Sequence, residues 1–384
     1  MPPLSKSLRP FWLKTTFIII ILVTAWMIGA ARKATDLGPV YRSIYAGVDL
    51  FEPHGAVINA ERDGQTLGLL ATGHAIGYGG ALHVIVAADT AGQVRRIEVY
   101  DHAETPAFYY RVSRHRRYRA LRNKAITDPW TAGEDIDMVS GATYTSKAYI
   151  DASRMACQKL ANAIHNHPIP EAPRVPWRFG WAEMVLILLF ILGLLARGPW
   201  RRHAKALRWS SMLLGMTALG FILNQPLTLG WVSRLLMGQW PPLPTHLFNY
   251  LLISGIVVLT LAQGFNPYCD WFCPFGAAQE CLGKMGGGRK RLPRKLHLTL
   301  RRLQTLGALS AVALALIWRN PTATSYEIFG AFFRLIGSTW QFAVLAVVLV
   351  ASLFMRRPWC AYLCPLRPVT RALKALRKAL HPAL

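Results

Sequence analysis

The sequence predicts an α-helical polytopic membrane protein of six spans that carries one extracytoplasmic α+β domain. Hydrophobic residues make up 53% of the 384 residues and charged residues only 16%. Six windows rich in Leu, Ile, Val, Ala and Phe recur along the chain. The acidic residues gather in one stretch, with 15 of the 19 between residues 32 and 178. This is the composition of a membrane protein with one water-soluble part.

The windows are residues 15–31, 179–196, 209–224, 246–263, 303–318 and 339–355. Each is near the lower limit for crossing a hydrocarbon core about 30 Å thick, and flanking Trp and Tyr can extend it. The first follows Lys6, Arg9 and Lys14, so it also fits the apolar centre of a cleaved signal peptide. Its large residues, "FIIIILVTAWMIGA", and the lack of a small-x-small cleavage site favour a retained anchor. The chain divides into a cytoplasmic N-terminus and anchor (1–31), an external domain (32–178), a five-span core (179–355) and a cytoplasmic tail (356–384).

Charge orients these parts. Of the 26 Lys and Arg outside 32–178, 23 precede the first window, lie in 197–208 or 264–302, or follow residue 355. Only Arg234, Arg319 and Arg334 fall in the other two loops. The positive-inside rule puts both termini in the cytoplasm and 32–178 outside, in the periplasm of a Gram-negative cell. The net charge of +25 therefore needs no nucleic acid as partner, and "GGGRKRLPRK" reads as a cytoplasmic flank.

Residues 32–178 hold 18 Lys and Arg beside their acids, an ordinary soluble balance. "LHVIVAAD" and "VRRIEVY", separated by "TAGQ", read as neighbouring strands, and "YTSKAYIDASRMACQKLANAIH" has apolar residues at helical spacing. The small, hydroxyl-rich run "DMVSGATYTS" lies where strand gives way to helix. In one reading Ser140 or Thr143 caps the helix and Gly141 makes the turn. In the other, helix N-terminal N–H groups attract a phosphate, Gly141 and Ala142 allow close approach, and Thr143 presents its hydroxyl to phosphorus.

"DMVSGATYTS" resembles the D-x-x-[ST]-G-A-T signature of covalent FMN-binding domains, found in Rnf and Nqr flavin subunits and in NosR/NirI- and PceC-type membrane proteins. "GYGGALHVIVAADTAGQVRRIEVYDHAETP" is similar to the glycine-rich strand region and H-x-E-T-P loop of the same domain. The resemblance implies that a separate periplasmic flavin transferase joins FMN by a phosphodiester bond to Thr143. Asp137, Ser140, Gly141 and Ala142 complete the signature, and Thr145 and Ser146 in the same run are counted with the flavin site. His102, Glu104 and Thr105 are expected to line it, their alternative being a polar turn after a strand. The flavin ring would carry the redox chemistry while the protein positions and tunes it.

Six cysteines remain. Cys157 is alone in the external domain and reads as a buried helix residue. Cys269, Cys273, Cys360 and Cys364 form the repeat "CDWFCP" and "CAYLCP", each after an even-numbered span on the reducing side, where disulfides are not expected. Four thiolates on one face suggest one shared centre. C-x₃-C-P is also the tail of the bacterial ferredoxin run, so an iron–sulfur cluster, of the 4Fe-4S kind, is the leading occupant, zinc or copper the rival, and plain structural thiols the remaining reading. Cys281 fits neither motif.

The paired motifs behind the external domain are similar to NosR, NirI and PceC. This chain has only the short basic segment "RPVTRALKALRKALHPAL" where NosR-type proteins continue into a further ferredoxin-like domain, so its layout is nearer the PceC type. The resemblance implies electron transfer between a quinol or cytoplasmic ferredoxin-like donor and an extracytoplasmic reductase. The alternative is a maturation or regulatory factor that senses redox state or handles metal. No histidine lies within a span to ligate haem, His246 standing only at a lip. The bilayer between flavin and cluster is too thick for one efficient electron step and calls for a further carrier or a moving domain. The basic segment "RVSRHRRYRALRNK" is expected to dock an acidic partner or headgroups, or simply to be solvated.

Overall fold

The computed structural model describes residues 9–32, 36–119, 121–167, 177, 179–288, 290, 292–322 and 324–380. Lys6, Arg289 and Arg291 of the basic flanks lie outside them. Five strands form one antiparallel meander: β1 (Leu50–His54), β2 (Val57–Arg62), β3 (Gln65–Ile76), β4 (Ala81–Ala88) and β5 (Val94–His102). The near-continuous apolar run of β4 follows from burial of both faces. Leu82, Val84 and Val86 pack with Ile150 and Leu160 on one side, and Ile85 and Ala87 pack with Leu70 and Tyr41 on the other.

The helix Thr143–His165 lies across β3 and β4. Ile150 and Leu160 are wholly buried beneath it, each worth about 1.5–3 kcal/mol of apolar burial. Gly73 sets the distance, because a Cβ there would run into the Ala152 carbonyl oxygen. The domain is α+β, as the sequence predicts, with the hydroxyl-rich run entering its central helix.

Among the described residues a helix stands at each of the six apolar windows. By length and composition, Trp12–Ala30 and Arg294–Trp318 are the two that can cross a membrane. Trp181–Leu195, Leu247–Gln263 and Thr339–Phe354 are apolar but shorter. At 15–17 residues these rise about 23–26 Å, less than a core of about 30 Å. The third window is not one regular helix. Ala204–Leu214 loosens into π-turns over Gly215–Ile222, where the Leu223 N–H donates to the Ala218 carbonyl at 2.8 Å. Gly215 lies against the Phe272 backbone and Gly220 against the Phe333 ring, with no room for a Cβ at either.

The domain rests on one end of this bundle. Thr322 Oγ donates to the Ala103 carbonyl at 2.9 Å, Gln225 Nε2 to the Tyr144 hydroxyl at 3.2 Å, and Asn320 Nδ2 to the His102 carbonyl at 3.4 Å. Both cysteine motifs follow the far ends of Leu247–Gln263 and Thr339–Phe354. The first helix packs beside Arg294–Trp318, with Ala25 buried and Gly29 against the Leu316 carbonyl.

Candidate functional site

Thr143 is the first residue of its helix and is exposed. No side chain caps that helix, so neither Ser140 nor Thr143 plays the capping part. Gly141 has φ +76°, the left-handed conformation glycine favours. A Cβ on it would stand 2.7 Å from Arg111 Nη1, so the guanidinium closes over the turn. Arg334, from the bundle, lines the same recess of about 150 Å³ with Gly141, Ala142 and Thr143. An uncapped helix start, a free hydroxyl and two guanidinium groups suit a phosphate diester.

The other predicted residues divide by burial. Asp137 and Ser140 are exposed. Thr145 and Ser146 are buried and tie the loop from behind: Thr145 Oγ donates to Glu104 Oε2 at 2.9 Å, and Ser146 Oγ accepts from the Val139 N–H at 3.1 Å. Glu104 is 1% exposed and also accepts from the Gly79 N–H at 3.2 Å. Burial pushes its carboxyl pKa up against those bonds, and Oε1 has no partner. Glu104 thus locks the glycine-rich turn to the helix Thr143–His165. His102 stacks on Tyr109 at 3.8 Å between ring centres and does not line the flavin-side cavities.

Thr105 lines a larger cavity of about 610 Å³ between domain and bundle, within the range of ligand sites. Tyr78, Phe108 and Asn224 line both this cavity and the recess at Thr143, so a group anchored there can reach in. Across from them stand Trp231, Arg234, Glu327 and Phe329 from the bundle loops. Motif reasoning missed this half of the wall; the one available signal was that Arg234 and Arg334 are rare cations on an otherwise charge-poor side. Glu327 accepts from the Leu229 N–H at 2.8 Å and the Ser325 hydroxyl at 3.2 Å, and burial raises it to about 7.

At the far end the two cysteine motifs interlock. Cys269 lies within the π-turn Tyr268–Phe272 and Cys273 ends it, Pro274 starts the helix Pro274–Met285, and Pro365 precedes the helix Leu366–Leu380. Asn266 accepts from the Cys269 N–H at 3.0 Å and donates to Thr370 of the second motif's helix at 2.9 Å. Gln279, on the first motif's helix, donates to Cys360 Sγ at 3.5 Å and accepts from the Trp359 N–H at 2.9 Å. Arg357 Nη1 donates to the Cys269 carbonyl at 2.8 Å. All four thiols are free.

Burial pushes the Cys269 and Cys273 thiols up, and a metal bound to them would hold them as thiolates. Among the described residues no three His, Cys, Asp or Glu side chains are gathered tightly enough to cage one ion. A cubane cluster, with irons and sulfides at alternate corners and one thiolate on each of its four irons, keeps its thiolates farther apart than a zinc ion does, and four free thiols on two interlocked turns fit it. Beside them a basic recess of about 440 Å³ is lined by Arg208, Arg356, Arg357 and Arg367. Glu280 pairs with the first three at 2.6–2.8 Å. Cys281 lies outside this arrangement, half-buried, and Cys157 is wholly buried in the domain core.

One segment joins the sites. Residues 320–338 link the domain-facing ends of two helices, yet their middle turns inward. Phe329 lines the 610 Å³ cavity and stands 5.7 Å from Phe275 and 6.4 Å from Trp359, ring centre to ring centre. Trp359 is next to Cys360, and Phe275 is two residues past Cys273.

The chain matches two family models: an FMN-binding domain over residues 77–158, and a 4Fe-4S binding domain over 245–293 and 338–381. It is 28% identical to Protein NirI of Paracoccus denitrificans over 62% of this chain and 39% of that one. It is 27% identical to Regulatory protein NosR of Pseudomonas aeruginosa over 59% of this chain and 34% of that one. With Methylamine utilization ferredoxin-type protein MauN of Methylorubrum extorquens it shares 29% identity over 45% of this chain and 67% of that one. The chain thus spans about two fifths of NirI and a third of NosR.

Proposed function

We propose that this NosR/NirI-like chain, which joins an FMN-binding domain to a 4Fe-4S binding domain, is a multi-pass inner-membrane electron-transfer protein with its flavin tethered outside. The observation that carries this reading is the inward segment that brings the flavin-side cavity to within two aromatic rings of the cysteine site. A sensor or metal-handling factor needs no such closeness, and a carrier does. Six spans with both termini in the cytoplasm are supported by the six helices, the charge distribution and the placement of domain and cysteines at opposite ends of the bundle.

When bound, the flavin takes up electrons and the cluster relays them one at a time. Thr143 Oγ forms the new bond to phosphorus during attachment, losing its proton as the transferase's flavin donor gives up its leaving group. Arg111 and Arg334 balance the diester's charge. Tyr78, Phe108 and Trp231, which line the cavity, would wall a bound ring from water, and Glu104 would hold that wall to the helix that starts at Thr143. Asn266, Gln279 and Arg357 fix the cysteine turns. The recess of arginines suits an acidic donor such as a ferredoxin; quinol is the other donor class, and an extracytoplasmic reductase the acceptor.

Membrane vesicles containing the flavinylated protein are expected to reduce their flavin at turnover rates when given reduced ferredoxin or quinol. Reduction far slower than any turnover, with both donors, would favour the regulatory role. For topology, an alkaline-phosphatase fusion after His167 is expected to be active and one after Gly283 inactive. Activity after Gly283 would refute the orientation.

A further inference from the structure

Arg234 belongs to the helix Leu229–Leu236 in the bundle, outside the FMN-binding domain, and is 1% exposed. Its Nη1 donates to the Gly77 and Tyr78 carbonyls at 3.2 and 3.3 Å, in the glycine-rich turn of the domain. Its guanidinium also lies over the Trp231 ring at 4.7 Å. Nε and Nη2 are buried without any partner. Among the described residues no carboxylate lies within ion-pair distance of Arg234. Charged donors buried and unmatched are unfavourable, and burial lowers the pKa of Arg234 to about 10. The side chain lines the 610 Å³ cavity.

We propose that Arg234 completes the flavin site from the bundle side, its unpartnered nitrogens holding the negative charge that the flavin ring acquires on reduction. This rests on the reading of Thr143 as the tether. Two electrons from the one-electron cluster, in two steps, and one proton from water turn the neutral oxidised ring into an anion with its charge on the N1–C2=O edge. That edge presents acceptors, and a guanidinium edge offers matching donors. Charge near N1 tunes a flavin's potential. The requirement explains why a buried arginine whose nearest counter-charge, Glu104, acts on it only from beyond ion-pair distance is kept at a domain–bundle contact.

The test uses the full-length flavinylated protein, with FMN quantified by fluorescence after denaturing electrophoresis and the midpoint potential measured by spectroelectrochemistry. Arg234→Gln is expected to keep its covalent FMN, because Thr143 is untouched, and to lose at least tenfold in stabilisation of the reduced form. For a two-electron couple that is a fall of about 30 mV. Arg234→Lys, which keeps the charge, is expected to fall less and serves if the glutamine variant does not fold. Asn320→Ala loosens the same contact without removing charge and should leave the potential alone. A wild-type potential in Arg234→Gln with full FMN, or an equal fall in Asn320→Ala, would overturn the proposal. A wild-type protein coexpressed with transferase yet lacking FMN would instead remove the tether reading, and this one with it.

Discussion

Thr143→Ala, coexpressed with a flavin transferase, is expected to carry no flavin that survives denaturation, against one FMN per chain in the wild type. The hydroxyl is exposed at an uncapped helix start, with Arg111 over the adjoining turn, so nothing in the fold depends on it. Removing an exposed hydroxyl of this kind changes stability by about 0.5 kcal/mol or less, and expression should hold. Thr145→Ala makes an instructive contrast. It leaves the tether but takes a hydrogen bond from the buried Glu104, a loss of about 1–3 kcal/mol, so it should remain flavinylated and melt lower. In-gel fluorescence and peptide mass analysis decide; FMN persisting on Thr143→Ala would end the tether reading.

Replacement of a cysteine from either motif, Cys273→Ser or Cys360→Ser, is expected to abolish the whole cluster signal, in iron content, visible absorbance and EPR alike. Each turn supplies only two thiols, and each is held by the other's residues: Asn266 through Thr370, and Cys360 through Gln279. Cys281→Ser should leave the signal intact. Loss of half the metal from each variant would mean two separate sites.

Much of the domain was legible because its signals are local. Two β-branched-rich runs either side of a turn wrote β4 and β5, helical spacing wrote Thr143–His165, and the turn before it is spelled out by Ser140, Gly141 and Ala142. The cysteine repeat was legible for the same reason. The cavity between domain and bundle was not, because its walls come from residues far apart in the chain: Arg234 bonds to Gly77 across 157 positions. Glu104 was readable as important, but its part as a buried lock appears only when Gly79 and Thr145 meet it. The π-turns of the third window were not legible, because glycines at 215 and 220, tolerable in an apolar helix, are where Phe272 and Phe333 press in.

The inward course of residues 320–338 also bears on how the protein meets the membrane potential. Moving one charge across the full hydrocarbon thickness involves about 2.3 kcal/mol per 100 mV. An electron passing between the cavity wall at Phe329 and the cysteines beside Trp359 and Phe275 traverses ring contacts of 5.7–6.4 Å, not the roughly 25 Å rise of the Leu247–Gln263 helix. In the membrane orientation proposed above, the share of the voltage such an electron crosses would be set by the depth that separates cavity from cysteines, so the shift of the flavin–cluster equilibrium on energising the membrane would report that depth.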